Sequence, residues 1–348
     1  MATLDTYLRA MLEADGSDLH LSIGSPPKIR TSGRIVPLDA DVLTTESMEQ
    51  LLREIVNETR WSKYLDELDL DIAYEIPGLA RFRGSFLHNQ WGQAAVFRQI
   101  PAEILSFDTL KLPEVLKDVC AYKEGLVLVT GPTGSGKSTT LAAMIDYIND
   151  NFDKHIITIE DPIEFVHPKK RSVIVHREVR EHSESFANAL KGAMRADPDI
   201  VLVGEMRELE TIKLALSCAS MGMLVFGTLH TNNAPKTIDR IIDAFPAEEQ
   251  NQIRVMLAGC LSCVVSQLLC KKQPKGRVAV HEILLQHDAL PNTIRTGRIS
   301  AIRGIIESSS AQGMCLMDSS IRQQLNAGNI SPQEAYMKAS DKEAFQIQ

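Results

Sequence analysis

Aromatic residues make up only 5% of this 348-residue chain, and basic residues are outnumbered, 37 Lys and Arg against 45 Asp and Glu. A net charge of −8 argues against a protein that wraps nucleic acid by phosphate neutralisation. The sparse aromatics, not interleaved with basic residues, leave no stacking platform for single strands either. Long hydrophobic runs are also missing: nothing approaches about 18 uninterrupted apolar residues, so no bilayer-spanning helix is expected. The opening, MATLDTYLRAMLEADGSDLH, has early acidic residues and no apolar centre. No secretory leader is expected there, and the chain is expected in the cytoplasm.

Cysteine is scarce too. Six cysteines make no disulfide framework in a cytoplasmic chain of this size. Cys260 and Cys263 form a CxxC with Cys270 nearby, but VMLAGCLSCVVSQLLC is apolar and helix-like, with no histidine and no second CxxC. These thiols are read as buried small apolar side chains rather than zinc ligands. Internal repeats are absent as well, and the length sets a prior of roughly two domains. What remains is ordinary for a globular protein with a sizeable core: 44% hydrophobic and 24% charged residues.

The first hundred residues have the texture of a small α/β module. A helix over LDTYLRAMLEA leads to a strand at DLHLSIG, the Pro26–Pro27 turn, and KIRTSGRIVPL with a turn at Ser32–Gly33. One helical stretch is expected over TTESMEQLLREIVNETRWSKYLDEL, opened by the Thr/Glu pattern of a capping box. Strands follow at LDIAYEI, ARFRGSFLHN and QAAVFRQI. Pro101 and LSFDTLKLPEVLK read as a linker entering a helix, giving expected domains of 1–103 and 104–348. From Gly125 the short β-branched runs LVLVTG, HIITIED, IVLVGE and MLVFGTLH alternate with helical stretches, the pattern of a parallel sheet with crossover helices. Beyond about 290 only helices are expected.

The sharpest motif is GPTGSGKST: Gly131, Pro132, Thr133, Gly134, Ser135, Gly136, Lys137, Ser138 and Thr139. GxxxxGK[ST] directly after a strand and before a helix is a phosphate cradle. Glycines let successive N–H groups turn inward on an anion, and the helix N-terminus adds partial positive charge. Lys137 is expected to reach the β- and γ-phosphates of ATP, and the Ser138 hydroxyl to ligate Mg²⁺.

A second buried-strand pattern, IVLV, ends in Gly204 and Glu205. A bare carboxylate at a strand tip suits a general base that orients or deprotonates water. Gly204 stands where a metal-binding aspartate is usual, so a carboxylate from another strand or water must complete the metal shell. HIITIEDPIEF offers Glu160, Asp161 and Glu164 for that Mg²⁺ and water network. The run MLVFGTLH ends in His230, a candidate donor that detects the leaving phosphate.

These four blocks, in this order, resemble the secretion/type IV pilus ATPase superfamily, and within it the retraction-type motors. Walker A lies at 131–138, an acidic box at 157–167, a Walker B with Gly-Glu at 200–205 and a histidine box at 217–230. GSDLHL and PPKIRTSGRIVPL are similar to the opening of the family's PAS-like N-terminal domain, and VVSQLL to a later helix. The resemblance implies an α/β chain with a PAS-like N-terminal domain and a RecA-like P-loop ATPase domain that has a helical C-terminal part. It further implies a homohexamer at the inner-membrane face of a pilus machine. There it would hydrolyse ATP to drive pilus retraction through a platform protein, with other pilus motor ATPases as possible companions. Arginines of the N-terminal domain complete the nucleotide site in that family, and ARFRGSF and VFRQIP match the region, which nominates Arg81, Arg83 and Arg98.

Three departures from the family's patterns matter. The histidine box begins Gly222-Met223 in place of Gly-His, so only His230 carries over. The retraction motif AIRNLIRE appears as Ala289 to Thr296, with Pro291 replacing an arginine, which leaves open an accessory or divergent paralogue. The long N-terminal extension and paired-cysteine module of the assembly motors are not found, which argues against an extension motor. A nucleic-acid translocase and a non-hydrolysing regulatory subunit are the remaining alternatives. The acidic charge disfavours the first, and intact Lys137 and Glu205 disfavour the second.

Overall fold

The computed structural model describes residues 2–100 and 103–346. It divides into two compact units, Met1–Glu103 and Ile104–Gln348. Pro101, the expected start of the linker, lies outside the described residues.

The first unit runs α1 (Thr3–Glu13), β1 (Gly16–Ser22), β2 (Lys28–Thr31), β3 (Arg34–Pro37), α2 (Thr45–Arg53), α3 (Glu58–Glu67), β4 (Asp69–Ile76), β5 (Ala80–Asn89) and β6 (Gly92–Ile100). Its six strands form one sheet in the order β3-β2-β1-β6-β5-β4, antiparallel throughout. Alternation does the sorting. Leu19, Leu21, Phe82, Phe86 and Phe97 face a core completed by Leu4, Leu8 and Met11 of α1, Met48 and Leu52 of α2, and Tyr64 of α3. Residues of opposite parity, including Asp18, Arg81, Arg83 and Arg98, take the other face.

Two helices stand where one was expected. The chain leaves helix after Arg53, and Asn57 caps a new start by accepting the Arg60 N–H at 2.9 Å. The capping box at Thr44 is real but closes through Ser47, not a glutamate. The Thr44 hydroxyl accepts the Ser47 N–H at 3.2 Å, and the Ser47 hydroxyl accepts the Thr44 N–H at 2.9 Å.

The second unit begins with α4 (Phe107–Leu110) and α5 (Val115–Cys120), followed by β7 (Gly125–Thr130), α6 (Lys137–Asn151), β8 (His155–Glu160), β9 (Val173–Glu178) and α7 (Phe186–Ala193). Next come β10 (Ile200–Val203), α8 (Leu209–Ser220), β11 (Leu224–Leu229), α9 (Ala234–Asp243), α10 (Ala247–Cys260), β12 (Leu261–Lys271) and β13 (Arg277–Leu285). Four helices close it: α11 (Leu290–Arg295), α12 (Ile302–Ser308), α13 (Met317–Asn326) and α14 (Pro332–Lys338). Seven strands make one sheet in the order β13-β12-β7-β11-β10-β8-β9, with every pairing parallel except β12 with β13. Helices cover both faces of such a sheet, so its inner strands lose alternation, and every residue of β7, β10 and β11 is buried.

That loss of alternation overturns one expectation. The apolar run through Cys260, Cys263 and Cys270 is not one helix, because α10 stops at Cys260 and the rest is strand β12. VVSQLL is therefore strand, wedged between β7 and β13. A strand buried on both faces carries no period to tell it from a buried helix. The cysteines themselves are buried as expected, and burial pushes the Cys260 and Cys270 thiols up to about 11.

Phe226 lies at the centre of the second core with no exposure. Phe226→Ala is expected to cost about 3–5 kcal/mol by chemical denaturation. Val173→Ala, at an edge-strand residue that is 64% exposed, should stay within about 0.5 kcal/mol.

Candidate functional site

Parallel strands all end at one edge of a sheet, and four adjacent strand ends carry the motifs. β7 pairs with β11, β11 with β10, and β10 with β8. In register, Thr130 lies opposite Leu229, Val203 opposite Gly227, and Val203 opposite Ile159. Stepping off those ends gives Gly131, His230, Glu205 and Glu160 within a few residues of one another along the carboxyl edge, where open α/β sheets bind ligands.

The 131–137 loop is shaped by conformations that only glycine adopts freely. Gly131 has φ +145° and Gly136, capping α6, has φ +88°. A Cβ on Gly131 would stand 2.3 Å from the Gln267 carbonyl oxygen. The Lys137 ammonium donates to the carbonyls of Gly131 at 2.9 Å and Pro132 at 3.2 Å. Burial lowers its pKa, against opposing pulls from Glu205 and Glu164, so both carboxylates share its electrostatic field. Pro132, Thr133 and Gly134 are exposed at the loop tip, while Ser138 and Thr139 lie half-buried in the first turn of α6. Ser135 is buried, and its hydroxyl has no hydrogen-bond partner.

Glu205 is met by a histidine and an arginine. One carboxylate oxygen lies 2.7 Å from Nε2 of His230, and the same oxygen takes the Nε of Arg207. The Thr228 hydroxyl donates to the Gly204 carbonyl, and the Met206 N–H to the Thr228 carbonyl at 3.1 Å, so β11 fixes the turn that aims the glutamate. Gly204 has a packing reason. A Cβ there would meet the Glu160 Cα at 3.3 Å and Cγ at 3.4 Å, so the neighbouring glutamate lies against the position an aspartate would fill.

The three acids of the acidic box do not act alike. Glu160 accepts the Glu164 N–H at 3.2 Å, closing a turn. Asp161 is ion-paired with Arg180 at 3.4 Å. Glu164 is exposed and near enough to Lys137 to influence it. Beneath them the buried Glu178 accepts the Ile163 N–H at 3.1 Å and shapes the segment. Among the described residues, no three acidic, histidine or cysteine side chains gather closely enough to cage an ion. Mg²⁺ asks for less, since it keeps several waters and takes one or two protein oxygens beside substrate phosphates. The Ser138 hydroxyl in the first turn of α6, with Glu164 close to the same lysine, fits that pattern.

Arg81, Arg83 and Arg98 sit together, but on the other unit. Arg83 and Arg98 face each other across β5 and β6, and Arg81 lies two residues along β5. Each has an acid of its own unit: Arg81 with Glu75 at 3.5 Å, Arg83 with Asp71 at 3.6 Å, Arg98 with Asp18 at 2.7 Å. Burial pushes the Asp18 carboxyl up, but the Ser17 hydroxyl and the Arg98 guanidinium outweigh it and hold it below the usual range.

Sequence reasoning missed Arg207, Glu178, Arg180 and Gln267. Arg207 was the most findable, standing two residues beyond the strand-tip glutamate. The other three lie on strands β9 and β12 or just past β9, whose pairing no local pattern announces.

Residues 68–327 match the family described as Type II/IV secretion system protein. The chain is 47% identical to the type IV pilus retraction ATPase PilT of Pseudomonas aeruginosa over 94% of its own length and 96% of that protein. It is 46% identical to a twitching motility protein of Neisseria gonorrhoeae, over 92% of this chain and 86% of the other. In three dimensions it is similar to a crystal structure of the pilus retraction motor PilT with bound ADP. There the TM-score is 0.91 and the identity 40%, covering 99% of this chain and 98% of that one.

Gly136→Ala tests the cradle, because its Cβ would stand 2.8 Å from the Gln267 amide nitrogen in a backbone conformation alanine resists. Fluorescent-nucleotide titration is expected to show affinity falling at least about tenfold. Gly259→Ala, in α10 with open space around its Cβ, should leave affinity unchanged.

Proposed function

The chain belongs to the Type II/IV secretion system protein family, and from that premise we propose that it is a homohexameric, Mg²⁺-dependent ATPase that powers type IV pilus retraction. The observation that carries this reading is the Glu205–His230 pair, 2.7 Å apart, at the carboxyl edge of the sheet that also bears the Lys137 loop. The high identity to a retraction ATPase and to a twitching motility protein supports the direction of the work.

Each residue then has a task. On binding ATP, Lys137 exchanges the carbonyls of Gly131 and Pro132 for β- and γ-phosphate oxygens, while loop N–H groups face the same anion. The Glu205 carboxylate orients the attacking water and takes up its proton. Arg207 and His230 hold that carboxylate in place, and His230 is free to donate to phosphate once the glutamate is protonated. Ser138 and Glu164 would hold Mg²⁺, which supplies charge neutralisation at the phosphate oxygens. Arg81, Arg83 and Arg98 are assigned to the transferring phosphoryl group. To serve it they must give up Glu75, Asp71 and Asp18, so their engagement depends on movement between states.

The ring works at the cytoplasmic face of the inner membrane on a platform protein of the pilus machine. Among the described residues no helix is long and apolar enough to cross a membrane. Pro291, where the retraction motif has an arginine, lies in the first turn of α11, where a missing N–H costs nothing. The helix is kept although the arginine's positive charge is lost.

Glu205→Gln should bind nucleotide with wild-type affinity and lose at least about a hundredfold in steady-state phosphate release. Near-normal turnover would overturn the base assignment. Deleting the gene should give hyperpiliated cells that cannot twitch; bald cells would mean assembly instead.

A further inference from the structure

The phosphate loop is tied down on one side by a residue with no assigned role. Gln267, in the middle of β12, is 2% exposed, and both its amide nitrogen and its amide oxygen are hydrogen-bonded. Its Nε2 donates to the Ser135 carbonyl at 2.7 Å, and its Oε1 accepts the Thr140 hydroxyl at 2.7 Å. Nε2 of His281, on β13, lies 3.2 Å from the same oxygen. His281 is buried, and that burial lowers its pKa to about 4, so the ring is neutral near pH 7; the tautomer with its proton on Nε2 donates to this oxygen. Together these contacts leave the amide one orientation.

We propose that Gln267 is a positioning residue for nucleotide, setting the direction of a loop amide that binds phosphate, with His281 and Thr140 fixing its own orientation. Across the trans bond between Ser135 and Gly136, carbonyl and N–H point in opposite directions. Anchoring the Ser135 carbonyl on β12 therefore turns the Gly136 N–H away from β12, the sense an anion-binding amide needs. The loop's backbone also passes close to the same residue at two glycines. The Gln267 carbonyl oxygen lies 2.3 Å from where a Gly131 Cβ would be, and its Nε2 lies 2.8 Å from where a Gly136 Cβ would be. Both ends of a glycine-rich loop, which has little stiffness of its own, thus rest on Gln267.

This inference rests on the ATPase reading and is tested on the full-length protein with Gln267→Glu, Gln267→Met and Thr140→Val. Gln267→Glu keeps the size and the acceptor for Thr140 and His281 but sets an oxygen against the Ser135 carbonyl. Gln267→Met removes both polar functions at similar volume. KM for ATP and the dissociation constant for ADP are expected to rise about tenfold in both, with kcat at saturating ATP within about threefold of wild type. Thr140→Val should raise KM less, and combining it with Gln267→Met should add little further, because both act through one amide. A KM and ADP affinity within twofold of wild type in all three variants, even with a lowered melting temperature, would overturn the proposal and leave Gln267 a packing residue. Loss of kcat at unchanged KM would overturn it equally. Should Gln267→Met fail to fold, Gln267→Glu and Thr140→Val decide the matter by the same readouts. Wild-type protein without ATPase activity would instead sink the ATPase reading itself.

Discussion

Backbone hydrogen bonds join β7, β11, β10 and β8 in parallel register, and the chemistry of this protein follows from where those four strands stop. Parallel pairing forces like ends together, so loops at 131–137, 160–164, 204–207 and 230–233, far apart in sequence, are delivered to one edge. Parallel pairing also demands burial on both faces, which is why these strands are almost wholly apolar until their last residue. The change to Gly, Glu or His at the tip marks the edge of the apolar layer, where charge can be solvated or given to a ligand.

Beneath that edge, buried polar groups are satisfied in ways that bind loops to the sheet. Glu178 holds the acidic segment, Gln267 holds the phosphate loop, and the Thr130 and Ser266 hydroxyls pair at 2.8 Å between β7 and β12. A half-satisfied buried amide or carboxylate would cost about 1–3 kcal/mol, so each such network fixes one arrangement against many. The site is rigid at its base and charged at its lip. On the lip, Glu205 is shared by His230 and Arg207, and Lys137 rests on carbonyls of its own loop. Phosphate can compete for every one of those lip contacts.

The first unit follows a different rule. Its antiparallel strands alternate, so one face packs against α1, α2 and α3 while the other displays ionic pairs. Arg81, Arg83 and Arg98 appear there already neutralised by Glu75, Asp71 and Asp18. Exposed pairs of this kind are individually weak, roughly 0–1 kcal/mol, so a guanidinium can leave its acid for a more concentrated negative charge at little cost. Asp18 differs in being nearly buried, and Arg98 is correspondingly the most firmly held of the three.

Much of the fold and site was legible in the residues alone, wherever local chemistry suffices. Glycine spacing with GKS specifies a phosphate loop because few other backbones bend that way. An apolar run ending in Gly-Glu or in His marks a strand tip, and alternation marks the sheet of the first unit. Legibility failed where the determining contact is distant in sequence. β12 reads as helix because full burial erases its period; only β7 and β13 on either side make it a strand. The break between α2 and α3 was hidden because Asn57 looks like any polar residue until it caps. The partners of Glu205, the difference between Asp161 tied to Arg180 and Glu164 beside Lys137, and the Gln267 amide beneath the loop were decided by tertiary structure. Sequence determines which groups are available and which local shapes they prefer. Long-range strand pairing determines which of them meet, since a hydrogen bond spanning more than a hundred residues leaves no trace in either of its neighbourhoods.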